Sequence, residues 1–471
     1  MKITFSKIMT LVVLLSGLTM SSCKKDAEPL PNPGPSTTYI ELTGDLPTQT
    51  LDPSKKYLLK GYAFVQAGQT LTIPAGTIIF GDKASKGTLV INRGGKIMAE
   101  GTAEKPIVFT SKFGPGDRDK GDWGGIIILG NANVNQQSTP IEGVTPSVNF
   151  GTFQSTANDN ESSGVLKYVR IEYAGIALSP NNEINGLTFG GVGSGTVVEN
   201  VQVSYSGDDA FEWFGGTVNC KKLIAFGTWD DDFDTDLGYT GKVQFALALR
   251  DPFNADQSGS NCFESDNDGG GNDVTPKTAP VFSNVTIIGP RDTSVSPISS
   301  NYRNAVHFRR NTATSLFNSV ISGFPTGILM DGTSTFGNYE GNSPKGEIKS
   351  NLILSPSSSA LAVAGGVVSD NFRSYFTSNN PAEILQPSQA KYNELGLEPG
   401  LFFGKSGNAA SYPANPSFSV SSDKFIGSSA QFSSPKLTDP FFQQVNHLGA
   451  FDPTDWTDGW ATFDPKNQVY P

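Results

Sequence analysis

From Tyr57 onward, apolar runs of four to six residues alternate with turns rich in Gly, Asn, Asp and Ser, and helical periodicity is almost absent. Thr77-Ile78-Ile79-Phe80, Thr88-Leu89-Val90-Ile91, Ile107-Val108-Phe109 and Gly125-Ile126-Ile127-Ile128-Leu129 are examples. A sandwich would use similar strands, so the deciding feature is self-similarity at a fixed period. Gly207-Asp208-Asp209-Ala210-Phe211-Glu212 aligns with Trp229-Asp230-Asp231-Asp232-Phe233-Asp234, 22 residues later. Ser260-Asn261-Cys262-Phe263-Glu264 continues the column, followed by Asn304-Ala305-Val306-His307-Phe308 and Thr326-Gly327-Ile328-Leu329. About ten residues ahead runs a second column: Glu199-Asn200-Val201, Ser283-Asn284-Val285, Asn318-Ser319-Val320 and Ser350-Asn351-Leu352. Units of two or three strands cannot bury an apolar face alone, so they stack as an all-β solenoid.

Alternation along each strand turns Phe211, Phe233 and Phe263 inward as one stack and Glu212, Asp234 and Glu264 outward on successive turns. Asp232, Asp236 and Asp266 lie beside them. Parallel rungs are ~4.8 Å apart, so carboxylates in such a ladder repel and raise one another's pKa unless a cation neutralises them. Calcium, which takes six to eight oxygens in loose geometry, is the expected occupant. Its expected ligands are Asp232, Asp234, Asp236, Glu264 and Asp266. The alternative is a solvated acidic face paired with Arg250, Arg309 and Lys242. Glu264-Ser265-Asp266-Asn267-Asp268-Gly269 begins as an EF-hand loop does, but Thr275 stands where the twelfth-position Glu would be.

Composition supports the strand reading and narrows the partners. Glycine is 52 of 471 residues and charged residues are 17%, shifts that favour turns and β-structure over a helical fold. The net charge of −11 and the lack of a basic arm exclude general nucleic-acid binding. Only two histidines occur, His307 and His447, which excludes a multi-histidine zinc site. No phosphate loop, nucleophile elbow or dinucleotide fingerprint is present. The repeat register places Cys220 and Cys262 in different strands, so no disulfide is expected.

The N-terminus supplies an address. Lys2 and Lys7 precede a 13-residue apolar run, Ile8 to Met20, too short for the ~20 residues of a membrane-spanning helix, and Ser21-Ser22-Cys23 follows. Residues 1–22 read as a signal peptide. Residues 23–40, with Pro29, Pro31, Pro33 and Pro35, read as a semi-rigid tether. Residues 41–370 form the coil, and 371–471 a C-terminal cap with one helix, placed at Pro381 to Gly396 from its apolar pattern. Phe451, Trp456, Trp460 and Phe463 are expected to cap an open end of the coil or to stack on sugars.

Small residues before Cys23 resemble a bacterial lipobox, which implies lipidation at Cys23 and outer-membrane anchoring, with the coil outside or in the periplasm. The repeats resemble the right-handed parallel β-helix, or pectate-lyase-like, class. The stretch Leu71-Thr72-Ile73-Pro74-Ala75-Gly76-Thr77 through Gly121-Asp122-Trp123-Gly124-Gly125 resembles bacterial surface β-helix proteins, and Ser206 to Gly216 with Trp229 to Gly241 resembles Bacteroidota lipoproteins. Gly207-Asp208-Asp209 resembles the Gly-Asp-Asp element of polygalacturonases, whose Gly-His-Gly and Arg-Ile-Lys motifs are missing here, so these acids are assigned to a turn. The functional expectation is a monomeric surface lipoprotein that binds or processes polysaccharide on its acidic face; the alternative is a non-catalytic scaffold or adhesin. Were it an enzyme, a lyase or glycoside hydrolase, the candidate catalytic groups are Glu212, Asp234, Glu264, His307 and Arg309.

Overall fold

The computed structural model describes residues 38–137, 139–179, 182–293, 295–355, 358–380, 384–385, 416–418 and 430–470. The signal segment, Cys23 and nearly all of the tether lie outside the described residues. Contacts gather Tyr39–Pro471 into one unit. Its core is a right-handed parallel β-helix with three sheets, here A, B and C, every one of whose ladders is parallel.

One turn shows how the sequence builds the coil. Strand Val197–Ser204 bends at Asn200, so its first half lies in sheet C and its second in sheet A; Phe211–Phe214 then makes the rung of sheet B, and Asn219–Phe226 begins the next turn. The bend needs a left-handed residue. Asn200, Lys222, Phe245, Asn284, Asn318 and Ser350 stack there with φ of 56°, 57°, 62°, 58°, 54° and 58°. Three of the six are asparagine, which tolerates this region better than most residues with a Cβ, and this is the asparagine column visible in the sequence.

Inside the coil the aromatic stack is as expected. Phe211 pairs in register with Phe233, and Phe233 with Phe263, with ring centroids 5.9 and 5.1 Å apart. Trp213 stacks between Phe189 and Tyr239 at 5.8 and 5.4 Å. Cys220 pairs with Val243 in sheet C, while Cys262 lies in the turn entering sheet B; both are free and buried.

The C-terminal segment departs from expectation in two ways. Ile384–Leu385, expected within a helix, is a strand paired with Leu352–Leu354; the rest of the 381–396 stretch lies outside the described residues. The helix instead precedes it, at Ser369–Asn379. Pro381 explains this, because a proline disfavours helical geometry in the residue before it and so ends the helix. Phe372 and Phe376 of this helix join the main core at its last rungs. The second departure is that residues 430–470 do not cap an open end. They lie lengthwise over the outer faces of sheets A and C as a strap. Phe451, Trp460 and Phe463 are buried there against Phe226, Leu247, Leu249 and Ile288, and half-buried Trp456 stacks on Phe451. Among the described residues no helix is long and apolar enough to cross a membrane.

Candidate functional site

The acids gather on the outer face of sheet B and in the turn that enters it. Register pairs Glu212 with Asp234, Asp234 with Glu264 and Glu264 with His307, so these four occupy one column. Two residues along each strand, a parallel column carries Asp236 and Asp266, then Arg309 and Asp331. The strand pleat puts positions i and i+2 on the same face, so the two columns stand side by side.

The turn before each strand forms a third column, Asn185, Asp209, Asp231, Asn261 and Asn304. Each side-chain oxygen accepts the backbone N–H one turn on: Asp209 N to Asn185 Oδ1 at 3.2 Å, Asp231 N to Asp209 Oδ1 at 2.8 Å, Asn261 N to Asp231 Oδ1 at 2.5 Å and Asn304 N to Asn261 Oδ1 at 3.2 Å. Asp209 thus shapes the turn, as expected, but by binding the next rung rather than its own. A carboxylate and an amide serve equally as acceptors in this ladder. Choosing Asp at two adjacent rungs therefore adds two charges that the ladder does not need.

A side lobe makes one wall. The excursion Asn133 to Ser163 and the hairpin Ala177–Ser179 with Asn182–Glu183 pack Ile141, Val144, Phe150 and Ile184 onto Ile127 and Leu129 of sheet B. The lobe brings Glu142 and Glu183 to the acids. Glu142 is pushed up to about 7 by burial and by Glu183, and its charge in turn raises Glu212.

Burial followed by like charge governs the whole group. Glu212 is held well above the ordinary carboxylate range by burial, Glu142 and Asp234. Asp208 is raised by burial and Asp230, and Asp209 by burial and Asp208. Asp234 is raised by burial and Glu264. Asp230 is pushed up to about 8 by burial and Asp231, and Asp231 to about 6 by burial against the opposing pull of Asn261 and Arg250. Direct ion pairing to the ladder is confined to one end. Arg309 pairs with Glu264 and with Asp266 at 2.8 Å, and Arg310 with Asp266 at 2.7 Å. His307 lies between Glu264, at 3.8 Å, and Asp331, at 3.4 Å. Among the described residues Asp208, Asp209, Glu212, Asp230, Asp231 and Asp234 have no ion-pair partner.

Three overlapping carboxylate groups result: Asp208, Asp209 and Asp230; Asp209, Glu212 and Asp234; and Asp231, Asp234 and Glu264, each with oxygens within 4.8 Å of one another. Oxygens sharing one calcium ion at ~2.3–2.6 Å lie no more than ~5 Å apart, so the spacing and the all-oxygen donor set fit a hard divalent cation. The first two groups lack any paired base. Arg309 already partly neutralises the third.

The ligand set expected from sequence is only partly brought together, since Asp234 and Glu264 belong to these groups and the other three do not. Asp232 is in register with Ala210 and Cys262, an inward position, and is fully buried with its Oδ1 2.8 Å from Arg250 Nη1. Repetition of Asp-Asp-Asp in the sequence concealed that the third Asp replaces an alanine. Asp266 has both oxygens held by arginines. Asp236 lies on the outer face, pushed up to about 7 by burial and Asp266, and accepts the Leu237 N–H at 2.6 Å. The EF-hand-like stretch is satisfied locally: Asp268 accepts from the backbone of Gly270 and Asn272. Lys242 pairs with Asp439 of the strap, not with the ladder.

Asp208, Asp209, Asp230 and Asp231 join the groups unexpectedly. Their signal was present as the Asp-Asp step repeated 22 residues apart, which stacks two pairs on adjacent turns. Asp331 and the lobe residues Glu142 and Glu183 fall outside the repeats quoted for the acids and carried no such signal.

Coil, strap, lobe and acid ladder together define a parallel β-helix protein whose clustered, unpaired acids sit on one sheet and the turn that enters it. The chain belongs to the pectate-lyase-like β-helix domain family, whose pattern matches residues 44–359. No curated protein matches by sequence. Among solved structures, the catalytic domain of a GH87 alpha-1,3-glucanase in complex with tetrasaccharides is similar at 12% identity over 77% of this chain and 70% of that one, with a TM-score of 0.25. The Dettilon tailspike protein is similar at 11% identity over 66% of this chain and 61% of its own, with a TM-score of 0.21.

Proposed function

We propose that the protein is a monomeric, cell-surface lipoprotein, anchored in the outer membrane through Cys23, that binds or processes polysaccharide on its acidic face, with calcium as that face's occupant. One observation carries this reading: six neighbouring carboxyl groups without ion-pair partners are packed onto two adjacent turns, three on each, an arrangement that costs folding energy and that the coil itself does not require. The column Glu212, Asp234, Glu264 and His307 continues from this cluster along the coil axis, as an extended glycan would lie. Carboxylates accept hydrogen bonds from sugar hydroxyls, and a raised carboxyl keeps the proton that a general acid donates. The groups Asp208, Asp209 and Asp230, and Asp209, Glu212 and Asp234, would hold the ion; Glu264, His307 and Arg309 would face the glycan beside it.

A glycan panel probed with the mature chain in calcium and in chelator tests the reading. It predicts retention of one glycan class that weakens in chelator and on Asp234→Asn. Retention of none, together with binding to host or bacterial proteins, favours the adhesin or scaffold alternative. Replacing Cys23 with Ser tests the anchor separately, and unchanged membrane fractionation would remove it.

A further inference from the structure

Of five tryptophans, Trp123, Trp213 and Trp460 are fully buried, and Trp456 is stacked within the strap. Trp229 is different. It is half-buried in the turn entering sheet B, immediately before Asp230 of the first carboxylate group. Its Nε1–H donates to Asp256 Oδ1 at 2.8 Å, which fixes one edge of the indole. The Lys120 ammonium stands 3.9 Å from the ring centroid. The loop carrying Lys120 reaches this place because Gly207 lets it: a Cβ there would come within 2.5 Å of the Gly175 carbonyl oxygen and 3.0 Å of the Gly121 nitrogen. Lys120, Trp229, Asp208 and Asp230 are thus neighbours.

A flat apolar ring beside a carboxylate-held calcium ion matches the two surfaces of a sugar, its C–H face on the ring and its hydroxyl rim on the ion and on the carboxylate oxygens turned away from it. Lys120 covers that ring through a long flexible stem, a contact that is weak at a solvent-accessible position and easily exchanged. Six unpaired carboxyls outnumber the two charges of one calcium ion, and the negative excess disfavours a polyuronate. We propose that Trp229 is the stacking platform of a subsite for a neutral sugar ring and that Lys120 is its displaceable cover. This rests on the glycan reading above and names its substrate class.

The test titrates the calcium-loaded mature chain with neutral cello-, laminari-, manno- and xylo-hexaose, and with hexagalacturonate as the charged comparator. For the neutral hexaose that binds best, Trp229→Ala is expected to weaken affinity about tenfold or more, as loss of a central aromatic anchor does. Trp229→Phe should keep most of it, and Lys120→Ala should bind equally or more tightly. Melting curves of each variant guard against misfolding. If Trp229→Ala binds like wild type while Asp230→Asn does not, the platform is overturned and the glycan reading stands. Equal losses in Trp229→Ala and Trp229→Phe would assign Trp229 to folding through its Asp256 bond. Preference for hexagalacturonate overturns the neutral-sugar assignment, and binding of no oligosaccharide overturns both.

Discussion

The outer face of sheet A and the outer face of sheet B are built from the same parallel rungs, yet they are finished in opposite ways. Sheet A presents Ile224, Phe226, Leu247, Leu249, Ile288, Val320 and Leu352, and the strap covers them with Leu448, Phe451, Trp460 and Phe463, joined by Phe418. Its polar groups are matched pairwise. Gln202 donates to Thr462 O at 2.7 Å and accepts from Thr462 N at 3.0 Å. Gln244 does the same with Gln443 at 2.8 Å each way, and Asn318 with Gln431 at 3.3 and 2.9 Å. Three side-chain amides thus imitate a neighbouring strand and grip the strap by its main chain. Sheet B, beyond the lobe, presents carboxyls whose repulsion is left standing. One face is spent on stability, and the other holds electrostatic strain that a ligand can relieve.

The two faces therefore predict opposite responses to mutation, and the largest lies on sheet A. Removing residues 430–471 exposes about ten large apolar side chains at ~1.5–3 kcal/mol each, a loss on the order of 10 kcal/mol or more. The truncated chain is expected to bind a hydrophobic dye and to associate through the bared flank. A monomeric, dye-silent truncation with an unchanged denaturation midpoint would mean that the strap is ornamental.

Next in size is the buried pair between the faces. Asp232→Asn leaves Arg250 charged in the core and is expected to cost about 3–5 kcal/mol, read as a shift of the urea midpoint. Loss of less than about 1 kcal/mol would place the pair in a solvated setting and restore Asp232 to the outer ladder.

On sheet B the sign reverses. Burial and neighbouring acids push Asp230, Asp231 and Asp236 up to about 8, 6 and 7 in the folded chain, above the ordinary carboxylate values of the unfolded one. A raised group binds its proton more tightly when folded, so its contribution is full below pH ~4 and is lost as pH rises through the folded value. Without divalent ions, stability should therefore fall between pH 5 and about 8.5, by a few kcal/mol. Asp234→Asn removes one of the coupled charges and should stabilise the chelated protein at pH 8 by about 1 kcal/mol. Destabilisation on that substitution would show that the carboxylate makes a structural bond.

How much of this was legible follows from which residues repeat. The Phe211, Phe233 and Phe263 stack and the column Glu212, Asp234, Glu264 and His307 could be placed by counting, because one side chain's direction fixes its neighbours' at the same rung position. Asp232 could not, since in the turn just before a strand alternation gives way to turn geometry and only its alignment with Ala210 revealed the inward direction. The strap and the side lobe follow no period. The strap's docking depends on contacts hundreds of residues apart, such as Gln202 with Thr462 and Arg170 with Tyr470, which no local pattern encodes, and the lobe interrupts the repeat it packs on.

The central claim is that sheet B carries an unsatisfied cation demand, and thermal unfolding of the mature chain at pH 8 in calcium and in chelator tests it most directly. At hundredfold excess over its Kd, calcium should add ~2.7 kcal/mol and raise Tm by several degrees, and Asp234→Asn should reduce that rise. Identical melting curves in calcium and in chelator would contradict the claim.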